Sequence, residues 1–273
     1  TGTLTQNIMS VMGGWLNGTV MISPAVSDRA SYDYEVMSSE TLNMMELLQI
    51  CSLCSKSKYN EGDADRPIEE RKIFGDATEV GLLRFAAKFV NPPQLRTEDP
   101  KVFEIPFSSA TKWHLTVHKM ASGETVMMIK GAPERVFKLC TSMRVNGDTI
   151  PLTSEHERQF NESYELFAKS GQRVLAFARK SVEPGEFKRL EDGSYNFAMD
   201  DFTFYGLLSL MDPPKKGVRR AVAACRTAGI QVVMVTGDHP LTAAAIARQI
   251  GLMSGETVDD GARRTDRTAD PVR

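Results

Sequence analysis

Several short stretches of this sequence carry residue types suited to phosphate chemistry. Thr1-Gly2-Thr3 sets threonine hydroxyls and backbone amides around a glycine, which permits the tight turn that wraps a phosphoryl oxygen. Thr236-Gly237-Asp238 follows the β-branched run 230–235 and precedes an alanine-rich helical pattern, where a strand hands phosphate-binding groups to a helix N-terminus. Lys130-Gly131 closes another strand-like run, pairing an ammonium with backbone that no side chain shields. Asp212 stands at the end of the run 202–211, in Asp212-Pro213-Pro214-Lys215. Phe107 offers a ring for stacking a base, and Lys112, five residues on, a second cation. Each residue also has a plain structural reading. Phe107 suits a core, Lys112 and Lys130 suit solvated strand ends, and Thr236 or Asp238 suits a helix cap.

Composition narrows the classes. The 273 residues suffice for one large domain or two ordinary ones, and the apolar and charged fractions are those of an average globular protein. A formal net charge of −2 argues against a nucleic-acid binder held by phosphate electrostatics. Lys215-Lys216, Arg219-Arg220 and Arg263-Arg264 are short basic clusters that suit a solvated helix face and a polar tail. No apolar run reaches the roughly 18 residues that span a bilayer. Cys51 and Cys54 form one C-x-x-C within a helical pattern, without the second pair a structural zinc site needs. They read as buried helix cysteines. His114 and His118 on one strand face would lie about 13 Å apart, too far for one metal ion.

Two kinds of element have to position these groups. In the C-terminal quarter, strands are expected over 202–211 and 230–235, and helices over 215–228 and 240–250. Proline at the first turn and Gly229 past the end punctuate the first of these helices. Strand and helix alternating with short connections predict a parallel, right-handed wound α/β unit. The middle differs. Strands over 102–107, 113–119, 124–129 and 173–179, with 121–123 as a hairpin turn, and helices over 39–55, 78–89 and 154–169 predict an antiparallel α+β domain. The stretches 59–70, 91–100 and 183–195 are expected as surface loops, and the tail from 254 as a frayed end. The expected division is 1–12 with 206–253 as one α/β domain, 13–205 inserted into it, and 254–273 as tail.

Thr1-Gly2-Thr3-Leu4-Thr5-Gln6-Asn7, Lys130-Gly131-Ala132-Pro133-Glu134, Asp212-Pro213-Pro214-Lys215 and Thr236-Gly237-Asp238-His239 occur in that order. Together they resemble the cytoplasmic core of the P-type ATPases, ATP-driven cation pumps phosphorylated on aspartate. Ile105-Pro106-Phe107-Ser108-Ser109, Leu115-Thr116-Val117-His118-Lys119 and the stretch 234–243 are similar to the α-subunits of the Na⁺/K⁺ and H⁺/K⁺ branch, as is 255–260. The resemblance covers residues 1 to about 260 and departs at two places. His114 stands where those α-subunits carry glutamine beside the nucleotide, and the match fades at Gly261, before the Gly-Asp-Gly-x-Asn-Asp motif. No G-x-x-x-x-G-K-[ST] occurs.

The resemblance implies a partial haloacid-dehalogenase-like Rossmann phosphorylation domain carrying an inserted α+β nucleotide-binding domain. It implies ATP and Mg²⁺ as cofactors, with the Thr1 carbonyl on Mg²⁺ and the phosphorylated aspartate two residues before Thr1. Thr1, Gly2, Thr3, Thr236, Gly237 and Asp238 then handle the phosphoryl group. Glu79, Phe107, Lys112, Lys130, Gly131, Arg173 and Asp212 join Thr236, Gly237 and Asp238 around the nucleotide, with Glu79 at the adenine amino group and Arg173 at the polyphosphate. The expected setting is the cytoplasmic face of a plasma-membrane protein, whose transmembrane helices, actuator domain and β-type subunit lie outside this chain. The chain itself is expected to bind nucleotide without turnover. Two other classes share parts of the pattern: a soluble haloacid-dehalogenase-type phosphatase or phosphotransferase, and a non-catalytic nucleotide-binding module.

Overall fold

The computed structural model describes residues 2–23, 35–38, 41, 43–237 and 240–253. Its centre is a sheet buried on both faces. The strands are β1 (Ser10–Leu16), β2 (Thr19–Ile22), β3 (Glu35–Val36), β4 (Lys58–Tyr59), β5 (Ile73–Phe74) and β6 (Lys101–Ile105). They continue with β7 (Trp113–Lys119), β8 (Thr125–Gly131), β9 (Cys140–Val145), β10 (Asp148–Pro151), β11 (Arg173–Val182) and β12 (Phe202–Met211). Ten of them form one sheet of order β3-β2-β1-β12-β11-β8-β7-β6, with β9 pairing both β12 and β10, while β4 and β5 form a separate pair.

Two-sided burial explains the composition of the central strands. All seven residues of β8 are buried. Val126 and Met128 face one core with Phe177, Leu208 and the helix α1 (Met44–Leu53); Met127 and Ile129 face the other with Phe160, Phe167 and Phe204. Alternation survives as a choice between two apolar layers, so these strands read as near-continuous apolar runs. The first layer is covered by α1 and by α2 (Ala77–Ala86), which contacts β1. Helix α3 (Pro92–Glu98) packs on α1, while α4 (Pro133–Val136) and α5 (Ser154–Lys169) cover the second layer. Helix α5 starts at a capping box in which the Thr153 hydroxyl accepts from the His156 amide, and it buries Phe160, Ser163 and Phe167 as one stripe.

The mixed α/β composition and antiparallel central sheet agree with the α+β reading of the middle of the chain. Two expectations are overturned. Residues 91–100 are not a loop: the Asn91 side chain accepts from the Gln94 amide and proline occupies the first turn, which together start α3. The run 230–235 is not a strand, and its Val235 is 93% exposed. The parallel partner proposed for it, β12, has both edges occupied, by β1 and β9 on one side and β11 on the other. With no free edge beside it, the β-branched run forms no ladder, and the wound α/β unit is absent among the described residues. Helices α6 (Val218–Thr227) and α7 (Pro240–Gln249) do form; α7 packs Ala245 and Ile246 on Met211. Among the described residues, no helix is long and apolar enough to cross a membrane.

The chain enters and leaves the sheet at one point, since Ser10 is paired with Met211. Beyond that pair, residues 2–8 and 212–215 run side by side. The Asp212 carboxylate accepts from the Thr5 hydroxyl at 2.6 Å and the Ile8 amide at 3.1 Å, the Lys215 amide donates to the Leu4 carbonyl at 2.8 Å, and the Gln6 amide donates to the Pro213 carbonyl at 3.0 Å. Inside the sheet, Gly14 keeps β1 and β12 in register: a Cβ there would lie 2.2 Å from the Leu207 carbonyl oxygen and 2.8 Å from Met37 Cε. Replacing Gly14 by alanine is therefore expected to cost about 2–4 kcal/mol in urea unfolding, and a loss under about 0.5 kcal/mol would show that the two strands separate freely. Asp212→Ala is expected to speed hydrogen exchange at the Ile8 amide about tenfold while β7 and β8 keep their protection; unchanged exchange at Ile8 would contradict the clamp.

Candidate functional site

Topology gathers the expected residues at one end of the sheet. The first residue of β7, the last of β8, the first of β11 and the last of β12 all lie at this end, because Trp113 pairs with Gly131, Ala176 with Gly131, and Arg173 with Leu210. Phe107 and Lys112 occupy the β6–β7 connection there. The first turn of α2 comes down on the same rim, its N-terminus fixed by the Asp76 side chain accepting from the Thr78 amide at 2.9 Å.

Four charged or titratable side chains meet beneath that rim. Lys130 is 5% exposed, and its ammonium lies 2.7 Å from Glu79 Oε1 and donates also to the Cys54 carbonyl that ends α1. His114, opposite Lys130 in register and 2% exposed, points Nε2 at Glu104 Oε1 at 2.9 Å and Nδ1 at Glu79 Oε1 at 3.4 Å. The other Glu79 oxygen accepts from the Lys56 amide (2.9 Å), the Ser57 amide (3.0 Å) and the Ser55 and Ser57 hydroxyls (both 3.2 Å). Burial alone would push the Glu79 carboxyl up. The His114 contact, the Lys130 charge and the Lys56 amide outweigh it and hold the group well below the usual carboxylate range. Glu104 is also held low: burial opposes this, and Lys101 and then His114 prevail.

At the rim itself the side chains are open. Phe107 is 63% exposed, with no partner ring among the described residues. Lys112 adopts a left-handed backbone (φ 62°); its carbonyl accepts from the Ala132 amide at 2.9 Å and its ammonium lies 3.8 Å from Glu134. Gly131 is required by packing: a Cβ there would sit 2.5 Å from the Lys112 carbonyl oxygen. Exposed Arg173 donates to the Thr78 hydroxyl at 2.6 Å, which sets a guanidinium one residue from Glu79. A cavity of about 490 Å³ lined by Lys56, Arg96, Lys101, Glu104 and His118 opens behind the cluster and includes none of these rim residues.

The structure thus brings Lys112, Gly131 and Arg173 to one rim with Phe107 beside them, and sets Glu79 and Lys130 directly beneath. Asp212 is at the same end, where its two oxygens accept from Thr5 and Ile8 and strap two chain segments together. Gly2 and Thr3 lie in the segment strapped there, and Thr236 and Gly237 are exposed in the irregular stretch before α7. Thr1 and Asp238 lie outside the described residues, as do His239, the stretch 255–260 and the tail. Sequence reasoning missed the parts played by Glu104, Ser55, Ser57, Thr78 and the Cys54 carbonyl. Only the helix-start pattern Asp76-Ala77-Thr78-Glu79 carried a signal for any of them.

Comparison with known proteins identifies the family. Residues 43–217 match the family model described as P-type ATPase, cytoplasmic domain N. The chain is 36% identical over 281 residues to the potassium-transporting ATPase alpha chain 2 of Homo sapiens, covering 100% of this chain and 27% of that protein. It is 38% identical over 272 residues to the sodium/potassium-transporting ATPase subunit alpha-A of Artemia franciscana, covering 97% of this chain and 27% of that one. Subunit alpha-4 of Rattus norvegicus is 37% identical over 272 residues, with coverage of 97% and 26%. The chain therefore spans about a quarter of the length of these curated relatives. A family match across 43–217, on the elements that build the rim, shows that this chain belongs to the P-type ATPases and contains their cytoplasmic domain N.

Proposed function

We propose that this chain is the ATP-binding part of a cation-transporting P-type ATPase of the Na⁺/K⁺- or H⁺/K⁺-exchanging kind. The observation that carries the reading is the rim: an exposed aromatic ring and two accessible cations, Phe107, Lys112 and Arg173, stand over a buried lysine–glutamate pair. The ring stacks the base, Lys112 and Arg173 meet the phosphates, and Glu79 with Lys130 forms a rigid polar floor. The Thr1 carbonyl would be the backbone ligand of Mg²⁺, and the ion would supply charge neutralisation at the phosphates.

In this reading 13–205 is the nucleotide-binding domain, and 1–12 with 206–253 belongs to a haloacid-dehalogenase-like phosphorylation domain, followed by the tail 254–273. The proposed boundaries fall inside two strands, one in β1 and the other in β12. Thr1, Gly2, Thr3, Thr236, Gly237 and Asp238 are the proposed phosphoryl-handling groups, serving an aspartate that the family pattern sets just before Thr1. ATP would phosphorylate that aspartate, and hydrolysis would return it, each step shifting membrane helices between access states. The setting is the cytoplasmic face of the plasma membrane, with actuator domain, transmembrane helices and a β-type subunit as partners. This chain alone binds nucleotide without turnover; steady ATP hydrolysis abolished by Asp238→Ala would contradict that.

The test separates rim from floor. Phe107→Ala is expected to weaken ADP binding at least tenfold, in line with about 1–3 kcal/mol per stacked base, while leaving the unfolding midpoint unchanged because the ring packs on little. Unaltered affinity in the folded variant would remove the base from this rim. Lys130→Ala should instead lose about 3–5 kcal/mol of stability, since it strands Glu79 without its cation. Loss of binding in that variant is interpretable only beside its melting curve.

A further inference from the structure

The cavity of about 490 Å³ behind the cluster is lined by an excess of positive charge. Lys56, Lys58, Arg96 and Lys101 face it, against Asp99 and Glu104. Glu104 is shared between Lys101 and, at 3.7 Å, Lys56, while Asp99 accepts from the Ala121 amide at 2.8 Å. Lys58 is exposed, and its ammonium forms no ion pair among the described residues. The volume lies within the ~300–1,000 Å³ of small-molecule sites.

Two residues of this lining each carry a buried polar atom without a hydrogen-bond partner, Arg96 Nη2 and His118 Nε2. Arg96 is anchored by its other nitrogens, Nε donating to the Ser52 carbonyl at 2.8 Å and Nη1 to the Ser57 carbonyl at 2.7 Å. Nη2 is thus a donor held in place with nothing to meet. His118, 2% exposed, has Nδ1 at 2.9 Å from the Asp99 carbonyl. A carbonyl only accepts, so Nδ1 carries the hydrogen. Burial prevails over that bond and keeps the imidazole below the usual histidine range, so the ring is neutral and Nε2 holds a lone pair. One orphaned donor and one orphaned acceptor therefore line the same positively charged cavity. Native structures leave few such atoms unmatched.

Water would meet both atoms but leave the surplus charge unanswered. A bare oxyanion would meet the charge and Arg96 but offer no hydrogen to His118. We propose that this cavity is an anion site, separate from the rim, that takes a phosphate group accompanied by a hydroxyl. The anionic oxygens accept from Arg96 and the lysines, and the hydroxyl donates to His118 Nε2. Inorganic hydrogen phosphate carries such a hydroxyl on phosphorus, and a small polyol phosphate carries one on carbon. None of the rim residues lines the cavity, so the site stands whether or not the rim binds nucleotide.

The experiment titrates the whole chain by calorimetry with inorganic phosphate, sulfate and glycerol 3-phosphate at about pH 8. There hydrogen phosphate and sulfate share charge and shape and differ by one hydrogen. Phosphate is expected to bind about tenfold more tightly than sulfate, the worth of one buried hydrogen bond. Glycerol 3-phosphate binding above phosphate assigns the site to phosphomonoesters and binding below it to the free ion; either order supports the site. Lys58→Gln should weaken phosphate about two- to fivefold with an unchanged unfolding midpoint. His118→Leu should bring phosphate and sulfate to one affinity. If His118→Leu fails to fold, the ratio in the unaltered chain and the Lys58→Gln loss carry the test. Phe107→Ala should leave phosphate affinity unchanged, and a loss there would move the phosphate to the rim and overturn the separate site. No phosphate binding by the folded chain, or sulfate bound equally well, overturns the proposal and leaves the nucleotide reading untouched.

Discussion

A lysine buried inside a sheet has to be answered by charge and hydrogen bonds, and the answer given to Lys130 organises the rest of this molecule. Leaving an ammonium unpaired in such a place would cost several kcal/mol. Two elements meet that demand. The carbonyl ending α1 takes one hydrogen of the Lys130 ammonium, and Glu79 in the first turn of α2 supplies the counter-charge. Glu79 then reaches back to the backbone after α1 at Lys56 and Ser57 and sideways to His114. One ion pair therefore locks two helices and two strands into a single arrangement, directly under the rim where the nucleotide is proposed to sit. The first turn of a helix suits this carboxylate for a second reason, since the macrodipole there favours negative charge.

Rigidity below and exposure above suit a site that must recognise and release. Phe107 and Lys112 stand on the β6–β7 connection and Arg173 opens β11, all three exposed, while the floor beneath them is held by contacts distributed over α1, α2, β7 and β8. A rim residue can change affinity with little effect on folding. A floor residue cannot.

Much of this was legible in advance, and the failures have identifiable causes. The strand 113–119 and the helix 154–169 appear with the bounds that alternation and amphipathic spacing assign them. The order of the phosphate-type motifs led to the right family before any coordinates. Residues 91–98 misled because two prolines in sequence look like a loop, although proline at a first turn behind a capping asparagine also begins a helix. The run 230–235 misled because β-branched composition describes a residue's fitness for a sheet, not whether a sheet has an edge to offer. At the site, Glu79 and Lys130 were named individually, yet their mutual bond joins positions 51 residues apart. Asp212, expected at the nucleotide, accepts from Thr5 and Ile8, and nothing in Asp-Pro-Pro-Lys announces those two contacts. The strands β1, β2, β9 and β10 carried too little periodicity to stand out.

The pairing of Ser10 with Met211 also has a mechanical meaning. Both chain segments leave the sheet from the same corner, on neighbouring antiparallel strands. A pull that drew those segments apart would therefore peel β1 from β12 one hydrogen bond at a time, like a zip, and never load the ladder in parallel shear. Resistance would fall first on the contacts of Asp212, Lys215 and Gln6, and only afterwards on the sheet. The described part of residues 10–211 is thus one sheet with its covering helices, joined to the flanking segments at that one corner. A body hung in this way can swing as one piece about that corner while its own interior remains undisturbed.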